Sequence, residues 1–182
     1  MGLGLDAPQP SRAQLGKMKY LEFVIRESMR LYPPVPVNSR TAVKTTTLPV
    51  GGGMDGRSPI LVRKGEAVSY SPYVLHRRQD IYGEDAQDFR PERWEDGALR
   101  HVGYGYLPFN MGPRNCLGQS LALLEINYTI ARPIQRHPLM KGPFDRTASD
   151  VGKEKQILTM VLLCGEGCRI EFGAEGATKD YQ

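Results

Sequence analysis

Residues 109–118 read Phe-Asn-Met-Gly-Pro-Arg-Asn-Cys-Leu-Gly, and a run of residues typical of a helix follows at once. A cysteine at the start of a helix is stabilised as a thiolate, because free backbone N–H groups and the positive end of the helix dipole compensate its charge. Gly112 and Gly118 let the backbone bend tightly and let a flat ligand come close to it. The segment therefore predicts that Cys116 is a metal-binding thiolate.

An arginine lies two residues before this cysteine. The guanidinium of Arg114 offers a planar fork of donors that suits a carboxylate. A thiolate ligand beside a carboxylate-binding arginine favours haem as the ligand of this loop.

The other two cysteines, Cys164 and Cys168, form a CxxxC pair. A redox or zinc module would need a second ligand pair at zinc spacing, and the sequence does not supply one. We therefore interpret both residues as small buried hydrophobic side chains.

Length and composition are those of one globular domain. The 182 residues are 40% hydrophobic and 24% charged, whereas 20 glycines and 14 prolines predict many loops. The net charge of +4 comes without a dense block of lysine and arginine interleaved with aromatic residues, so nucleic-acid binding is not favoured. Three scattered cysteines indicate a reducing compartment, and the lack of an apolar run of about 18 residues predicts no membrane-spanning segment.

Helical periodicity dominates the first part of the chain. Ser11 is a predicted N-cap, and apolar residues recur at helical spacing from residue 15 to residue 31. Gly16 predicts a break between two short helices or within one broken helix. The sequence Tyr-Pro-Pro at residues 32–34 ends the pattern, and the prolines force an extended segment.

Short strand patterns follow, rich in β-branched residues, and a glycine-rich turn at residues 51–56 separates them. They predict one small antiparallel sheet over residues 41–70. A short helix at residues 71–78 and a loop at residues 80–105 lead to the cysteine segment.

The helix after Cys116 is broadly apolar, which predicts burial on more than one side. Pro133 is expected to kink or end it near Thr129. Residues 156–163 and 168–172 predict a terminal hairpin about Gly165 and Gly167. The fold class expected from these elements is mainly α with small antiparallel β-sheets (α+β).

Glu27 and Arg30 lie three residues apart on the second predicted helix, so both side chains project from one face. Alone, this spacing indicates only an exposed ion pair worth about 0.3–0.5 kcal/mol. The same chain, however, continues with Phe-Arg-Pro-Glu-Arg-Trp at residues 89–94 and then with FxxGxRxCxG at residues 109–118. In this order the three motifs resemble the cytochromes P450, the haem-thiolate monooxygenases.

The resemblance implies a role for each matching residue. Cys116 would be the axial ligand of haem iron, and Glu27, Arg30 and Arg93 would form a supporting cluster that holds the cysteine loop in place. Haem would be bound by Arg40, Phe109, Gly112, Arg114, Leu117 and Gly118, with the two arginines on the propionates and the N–H groups of residues 117–119 tuning the sulfur. The implied substrate contacts are Val35, Pro36, Val37, Leu162 and Leu163. His76 resembles a family segment near the propionates, and we interpret it as a structural histidine.

The resemblance covers residues 14–172, which would be a partial cytochrome P450 domain between a disordered stretch at residues 1–13 and a flexible tail at residues 173–182. In detail it is similar to the fungal branch that hydroxylates alkanes and fatty acids. It implies insertion of one oxygen atom of O2 into an aliphatic or fatty-acid-like, lipophilic substrate. The cofactor would be haem b, with electrons supplied by NADPH through NADPH-cytochrome P450 reductase. The full-length family member would reside at the endoplasmic-reticulum membrane.

The chain begins just before the ExxR motif. We therefore expect the C-terminal, proximal-side part of the fold, incomplete, without the membrane anchor and the long helix over the distal face of haem. That helix carries the oxygen-activating residues of the family, so no catalytic residue is identified here. The alternative is a truncated non-enzymatic fragment, or an incomplete gene model, with little or no haem binding.

Overall fold

The computed structural model describes residues 6–95, 97–142, 155–168 and 170–172. These ranges contain short helices, two longer helices and pairs of short strands, as the predicted fold class requires. The helices are α1 (Arg12–Leu15), α2 (Lys19–Leu31), α3 (Pro72–Leu75), α4 (Gln79–Tyr82) and α5 (Gln119–Arg136). The strands are β1 (Asn38–Thr41), β2 (Thr46–Gly52), β3 (Ser58–Val62), β4 (Ala67–Tyr70), β5 (Gln156–Leu158) and β6 (Leu162–Cys164).

The start of α1, its end at Gly16 and the end of α2 before the proline segment are as predicted. Ser11 caps α1, because its hydroxyl accepts the N–H of Gln14 at 3.3 Å while the Gln14 side chain accepts the N–H of Ser11 at 2.8 Å. Gly16 ends α1. Tyr32 ends α2 by donating its N–H to Ser28 O at 2.7 Å, directly before the prolines.

The strands form three separate two-stranded antiparallel sheets among the described residues. The β2–β3 hairpin is inserted between β1 and β4, which pair with each other in the register Asn38 to Tyr70. The prediction of a single sheet over this region was therefore wrong. Strands β2 and β3 are consecutive and pair with each other, whereas β1 pairs with β4. The β2–β3 pairing also has an irregular register between Leu48 and Gly52.

Helix α5 differs from its prediction in two respects. Pro133 lies inside the helix, which continues to Arg136, and the N–H of His137 still reaches Pro133 O at 2.8 Å. A proline removes its own donor and crowds the carbonyl four residues earlier, but the next turn still closes here, so the helix does not end near Thr129. The helix is also far less buried than its composition predicts: only Ala131 and Gln135 are buried, because α1 and α2 are the described helices that pack on it. Within the described residues, no helix combines the length and the apolar character that crossing a membrane requires.

The loop at residues 83–105 is compacted by three turns of 3₁₀-helix, at Pro91–Trp94, Ala98–His101 and Gly103–Gly105. Tyr82, Ala86 and Trp94 form a buried cluster, against which side chains from α2 and from the loop itself pack. The loop is thus fixed against α2, on the way to the cysteine segment.

The terminal hairpin has a different turn from the predicted one. Strands β5 and β6 pair directly, with Thr159 N–H donating to Val161 O at 3.0 Å in the connection. Gly165 and Gly167 therefore follow the hairpin. Residue 171 pairs instead with Lys141 through an isolated bridge, so the prediction of a partner strand at residues 168–172 was wrong.

Part of the stretch predicted to be disordered lies against α5. Arg132 donates to Ala7 O at 2.7 Å, and Gln135, which is fully buried, donates to Pro8 O at 2.9 Å. These two hydrogen bonds hold Ala7 and Pro8 beside the end of α5, and the disorder of residues 1–13 stays a prediction. Residues 1–5 and the predicted tail at residues 173–182 lie outside the described residues.

Candidate functional site

The cysteine loop is closed by a backbone hydrogen bond. The N–H of Cys116 donates to Phe109 O at 2.8 Å, and the side chain of Cys116 is exposed. Within the loop, Asn110 has φ of 62°, the left-handed region that few residues other than glycine adopt. The hydroxyl of Tyr70, at the end of β4, donates to Asn110 Oδ1 at 2.7 Å and holds this conformation. The first sheet therefore supports the loop directly.

The two glycines of the loop serve different purposes. Gly112 has φ of 74°, so a side chain at this position would strain the backbone. Gly118 has an ordinary φ of −83°, but a Cβ added there would lie 3.8 Å from Cys116 Sγ. Gly118 therefore keeps the space beside the sulfur open.

Helix α5 begins three residues after the cysteine, as the sequence predicts. The N–H of Gln119 donates to Cys116 O at 3.4 Å, and Ala122 N–H donates to Gly118 O at 2.9 Å. The tuning of the sulfur by the N–H groups of residues 117–119 stays a prediction.

Arg40 and Arg114 line one cavity of about 360 Å³, although 74 residues separate them in the chain. Both side chains are exposed. The Arg40 guanidinium lies 5.7 Å from the ring centre of Tyr70 and donates to Ser39 O at 2.7 Å. Two cations that face one cavity suit a ligand with two carboxylates.

The predicted cluster of Glu27, Arg30 and Arg93 forms, and it is buried. Glu27 is 0% exposed and accepts five hydrogen bonds between 2.8 and 3.0 Å. Two come from Arg30 and one from Arg93, whereas the Arg90 N–H and the indole N–H of Trp94 give the other two. Sequence reasoning missed these last two donors, although a tryptophan in the motif at residues 89–94 signals a buried N–H that needs an acceptor.

Both arginines of the cluster also bind backbone carbonyls of the loop at residues 76–88. Arg30 donates to His76 O at 2.8 Å, to Ala86 O at 2.6 Å and to Asp88 O at 2.9 Å. Arg93 donates to the carbonyl oxygens of Tyr82 and Asp85, each at 2.9 Å. The guanidinium groups therefore fasten the loop to α2 as well as neutralise Glu27.

Glu27 is charged in this environment. Burial alone would raise the pKa of its carboxyl, but the hydrogen bonds from Arg30, the Arg90 N–H and Arg93 outweigh burial and hold the pKa below its usual range. Since every partner of the carboxylate is a donor, protonation would leave one oxygen unable to accept.

An aromatic contact joins this cluster to the cysteine segment. The rings of Trp94 and Tyr106 lie 4.8 Å apart, and the Tyr106 hydroxyl donates to Arg26 O at 3.1 Å. Phe109, three residues further, lines a second cavity of about 390 Å³ between α2 and α5. Packed side chains therefore connect the Glu27 cluster to the cysteine loop, as the predicted support of that loop requires.

The two segments predicted to contact substrate are adjacent. Leu162 N–H donates to Pro34 O at 2.7 Å, which places β6 beside the proline segment, and Leu162 and Leu163 line a cavity of about 210 Å³. Val35, Val37 and Leu163 are exposed. Pro36, in contrast, is buried, and its carbonyl accepts the Ser71 hydroxyl at 2.9 Å. This hydrogen bond joins the proline segment to Ser71, the N-cap of α3, and the role of Pro36 in contacting substrate stays a prediction.

The interpretation of Cys164 and Cys168 as buried side chains was wrong, because both are free and exposed. Cys164 lies at the end of short strand β6, and its thiol donates to Gly167 O at 3.1 Å. Among the described residues, no group of three or more His, Cys, Asp or Glu side chains is arranged to hold a metal ion.

The chemistry of the residues around Cys116 fits haem. An exposed sulfur offers a soft anionic ligand for iron, and Leu117, Leu121 and Met111 are exposed apolar side chains on the same loop and helix start. The cavity that Arg40 and Arg114 share then supplies partners for two carboxylates. The sulfur, the apolar surface and the paired cations suit, respectively, the iron, the porphyrin ring and the two propionates of haem.

The comparison with protein families agrees with this donor set. The family model described as Cytochrome P450 matches residues 4–158. The chain therefore belongs to the cytochrome P450 family. Its helices and small antiparallel sheets are consistent with part of the fold of that family.

Individual relatives are fungal. A protein named Cytochrome P450 from Arthroderma benhamiae is 59% identical over 173 residues, which are 94% of this chain and 35% of the relative. Cytochrome P450 52A3-A from Candida maltosa is 54% identical over 136 residues, 74% of this chain and 26% of the relative. Cytochrome P450 monooxygenase g430 from a Fusarium species is 47% identical over 174 residues, which are 93% of this chain and 29% of the relative. The chain thus spans about a quarter to a third of the length of the curated relatives it matches.

Proposed function

We propose that this chain is the haem-binding, C-terminal and proximal-side portion of a cytochrome P450 monooxygenase, with Cys116 as the axial thiolate. The observation that carries the proposal is the exposed sulfur of Cys116 on a loop whose neighbouring cavity gathers Arg40 and Arg114. The family membership and a relative named as a monooxygenase support it. The protein would insert one oxygen atom of O2 into an organic substrate.

Each residue has a stated task in this proposal. Bound haem b supplies the iron that activates oxygen, with electrons from NADPH through NADPH-cytochrome P450 reductase. Cys116 holds the iron, Gly118 leaves room beside the sulfur, and Arg40 and Arg114 bind the two propionates. Glu27, with its two arginines, keeps the loop in position.

The substrate class is proposed from the apolar segments near β6. Val35, Val37, Leu162 and Leu163 offer aliphatic side chains without a charged group, which would exclude water around a lipophilic substrate. The similarity to fungal enzymes that hydroxylate alkanes and fatty acids makes an aliphatic, fatty-acid-like molecule the proposed substrate. An endoplasmic-reticulum location of the whole protein belongs to the same proposal.

Haem binding is tested with a reduced, carbon-monoxide-treated sample of the chain loaded with haem. We expect the Soret band of a thiolate-ligated complex, and we expect Cys116→Ser to remove it completely because a hydroxyl does not ligate the iron as a thiolate. Cys168→Ser is the matched control and should leave the band unchanged, since Cys168 is likewise a free, exposed cysteine and does not line the cavity of Leu162 and Leu163. Lack of the band in the unsubstituted chain would favour the alternative, a non-enzymatic chain with little or no haem binding.

The two arginines should retain haem together. A hydrogen bond to a charged group is worth about 1.5–3 kcal/mol, so Arg40→Ala and Arg114→Ala should each speed haem loss by about 10–100-fold. The measurement is the rate of haem transfer to excess apomyoglobin. Arg57→Ala, on the β2–β3 hairpin away from the cavity, is the control. If either variant lost haem no faster than Arg57→Ala, that arginine would have no part in binding propionate.

A further inference from the structure

His76 is a buried histidine with a partner on each ring nitrogen. Its exposure is 0%; Nδ1 lies 3.1 Å from Arg30 O, and Nε2 lies 2.7 Å from Leu107 N. A carbonyl oxygen can only accept and an amide N–H can only donate. The ring is therefore the neutral tautomer with its proton on Nδ1, which donates to Arg30 O and accepts from Leu107.

The position of the donor, the Leu107 N–H, is what matters for the site. Leu107 is two residues before Phe109, and Phe109 O closes the loop by accepting the Cys116 N–H at 2.8 Å. Pro108, between them, has no N–H to anchor. The hydrogen bond from Leu107 to His76 therefore fixes the backbone just before the cysteine loop begins.

His76 is itself held by the charged cluster. The Arg30 side chain donates to His76 O at 2.8 Å, and the His76 ring donates to the Arg30 carbonyl, so two hydrogen bonds join the two residues. The ring of Tyr106 packs 5.3 Å from the imidazole. These contacts leave the imidazole little freedom to move. Through its hydrogen bond with the Leu107 N–H, it fixes the position of the Leu107 backbone relative to α2.

We propose that His76 is a positioning residue for Cys116, which acts by accepting the Leu107 N–H and so fixing the start of the cysteine loop. Its consequence for iron ligation rests on the proposed haem function. Its consequence for the loop itself does not, because the contacts are present in the chain without haem.

Two substitutions separate the acceptor from the donor. In His76→Asn the shorter amide can still donate toward Arg30 O, but it does not reach Leu107. In His76→Gln the longer side chain can place its oxygen near the position of Nε2 and accept from Leu107. Tyr106→Phe is the control, because it removes the neighbouring hydrogen bond to Arg26 O and keeps the ring.

Amide hydrogen exchange at Leu107 and Cys116 is measured in the chain without haem. We expect exchange at least about tenfold faster in His76→Asn and near the unsubstituted rate in His76→Gln and Tyr106→Phe, since only the first leaves a buried N–H without its acceptor. In the haem-loaded chain, the Soret band of the carbon monoxide complex should lose its thiolate position in His76→Asn and keep it in His76→Gln.

Equal exchange in His76→Asn and the unsubstituted chain would overturn the proposal, as would a Tyr106→Phe effect as large as that of His76→Asn. If His76→Asn does not fold, Leu107 exchange in the unsubstituted chain decides: exchange far slower than at an exposed amide supports the bond to His76, and exchange as fast as at an exposed amide overturns it. A chain that binds no haem but shows the expected exchange pattern would refute the haem function and keep the role of His76 in the loop.

Discussion

Glu27→Gln should destabilise the protein by about 3–5 kcal/mol, because it leaves two buried guanidinium groups without the carboxylate that neutralises them. The size of the side chain is unchanged, so no cavity forms. All five partners of Glu27 are donors, and the new amide N–H2 must point at some of them. Chemical denaturation gives the free energy of unfolding, and we expect haem incorporation to be lost with it.

Glu22→Gln is the matched control on the same helix. Glu22 also pairs with two cations, Lys19 and Arg26, but its side chain is 37% exposed and water screens the pairs. The loss there should be about 0.5 kcal/mol or less. A Glu27→Gln variant as stable as Glu22→Gln would contradict the view that the buried cluster holds the loop.

The short-range features of the chain could be predicted because they depend on neighbours in sequence. The capping box of Ser11, the break at Gly16 and the helix end before the prolines need only residues within four positions of each other. The contact of Glu27 with Arg93 spans 66 residues. It could nevertheless be predicted, because the motifs that contain the two residues resemble those of a known family.

The rest depends on which surfaces meet, and local pattern carries no such information. The apolar residues of α5 predicted burial on several sides, but exposure of Leu121 and Ile134 follows from the few described elements that pack there. Likewise, the strand patterns did not distinguish one sheet from nested pairs.

The part played by His76 shows the same limit at the site. Nothing within ten residues of His76 indicates that its ring joins Arg30 O to Leu107 N–H, because the two partners are 46 and 31 residues away. Only a buried polar side chain with a donor and an acceptor at fixed distances identifies such a link.

His76 should also make stability depend on pH. Burial lowers the pKa of His76 from its ordinary value of 6.5 to about 4, and the charges of Arg30 and Arg77 act in the same direction. Between these values the unfolded chain binds a proton that the folded chain does not. The contribution is therefore complete above pH 6.5, declines as pH falls, and is lost below about pH 4.

The expected slope is about 1.4 kcal/mol per pH unit, which amounts to about 3 kcal/mol over the whole window. Glu27 does not account for it, since its lowered pKa places its own loss below 4.5. Urea denaturation at several pH values between 4.5 and 6.5 measures the slope, and His76→Gln should flatten it because no imidazole is left to titrate. If the slope in the variant matched that of the unsubstituted chain, another group would be taking up the proton. A flat slope in the variant would assign the acid sensitivity of folding in this window to the imidazole that accepts the Leu107 N–H.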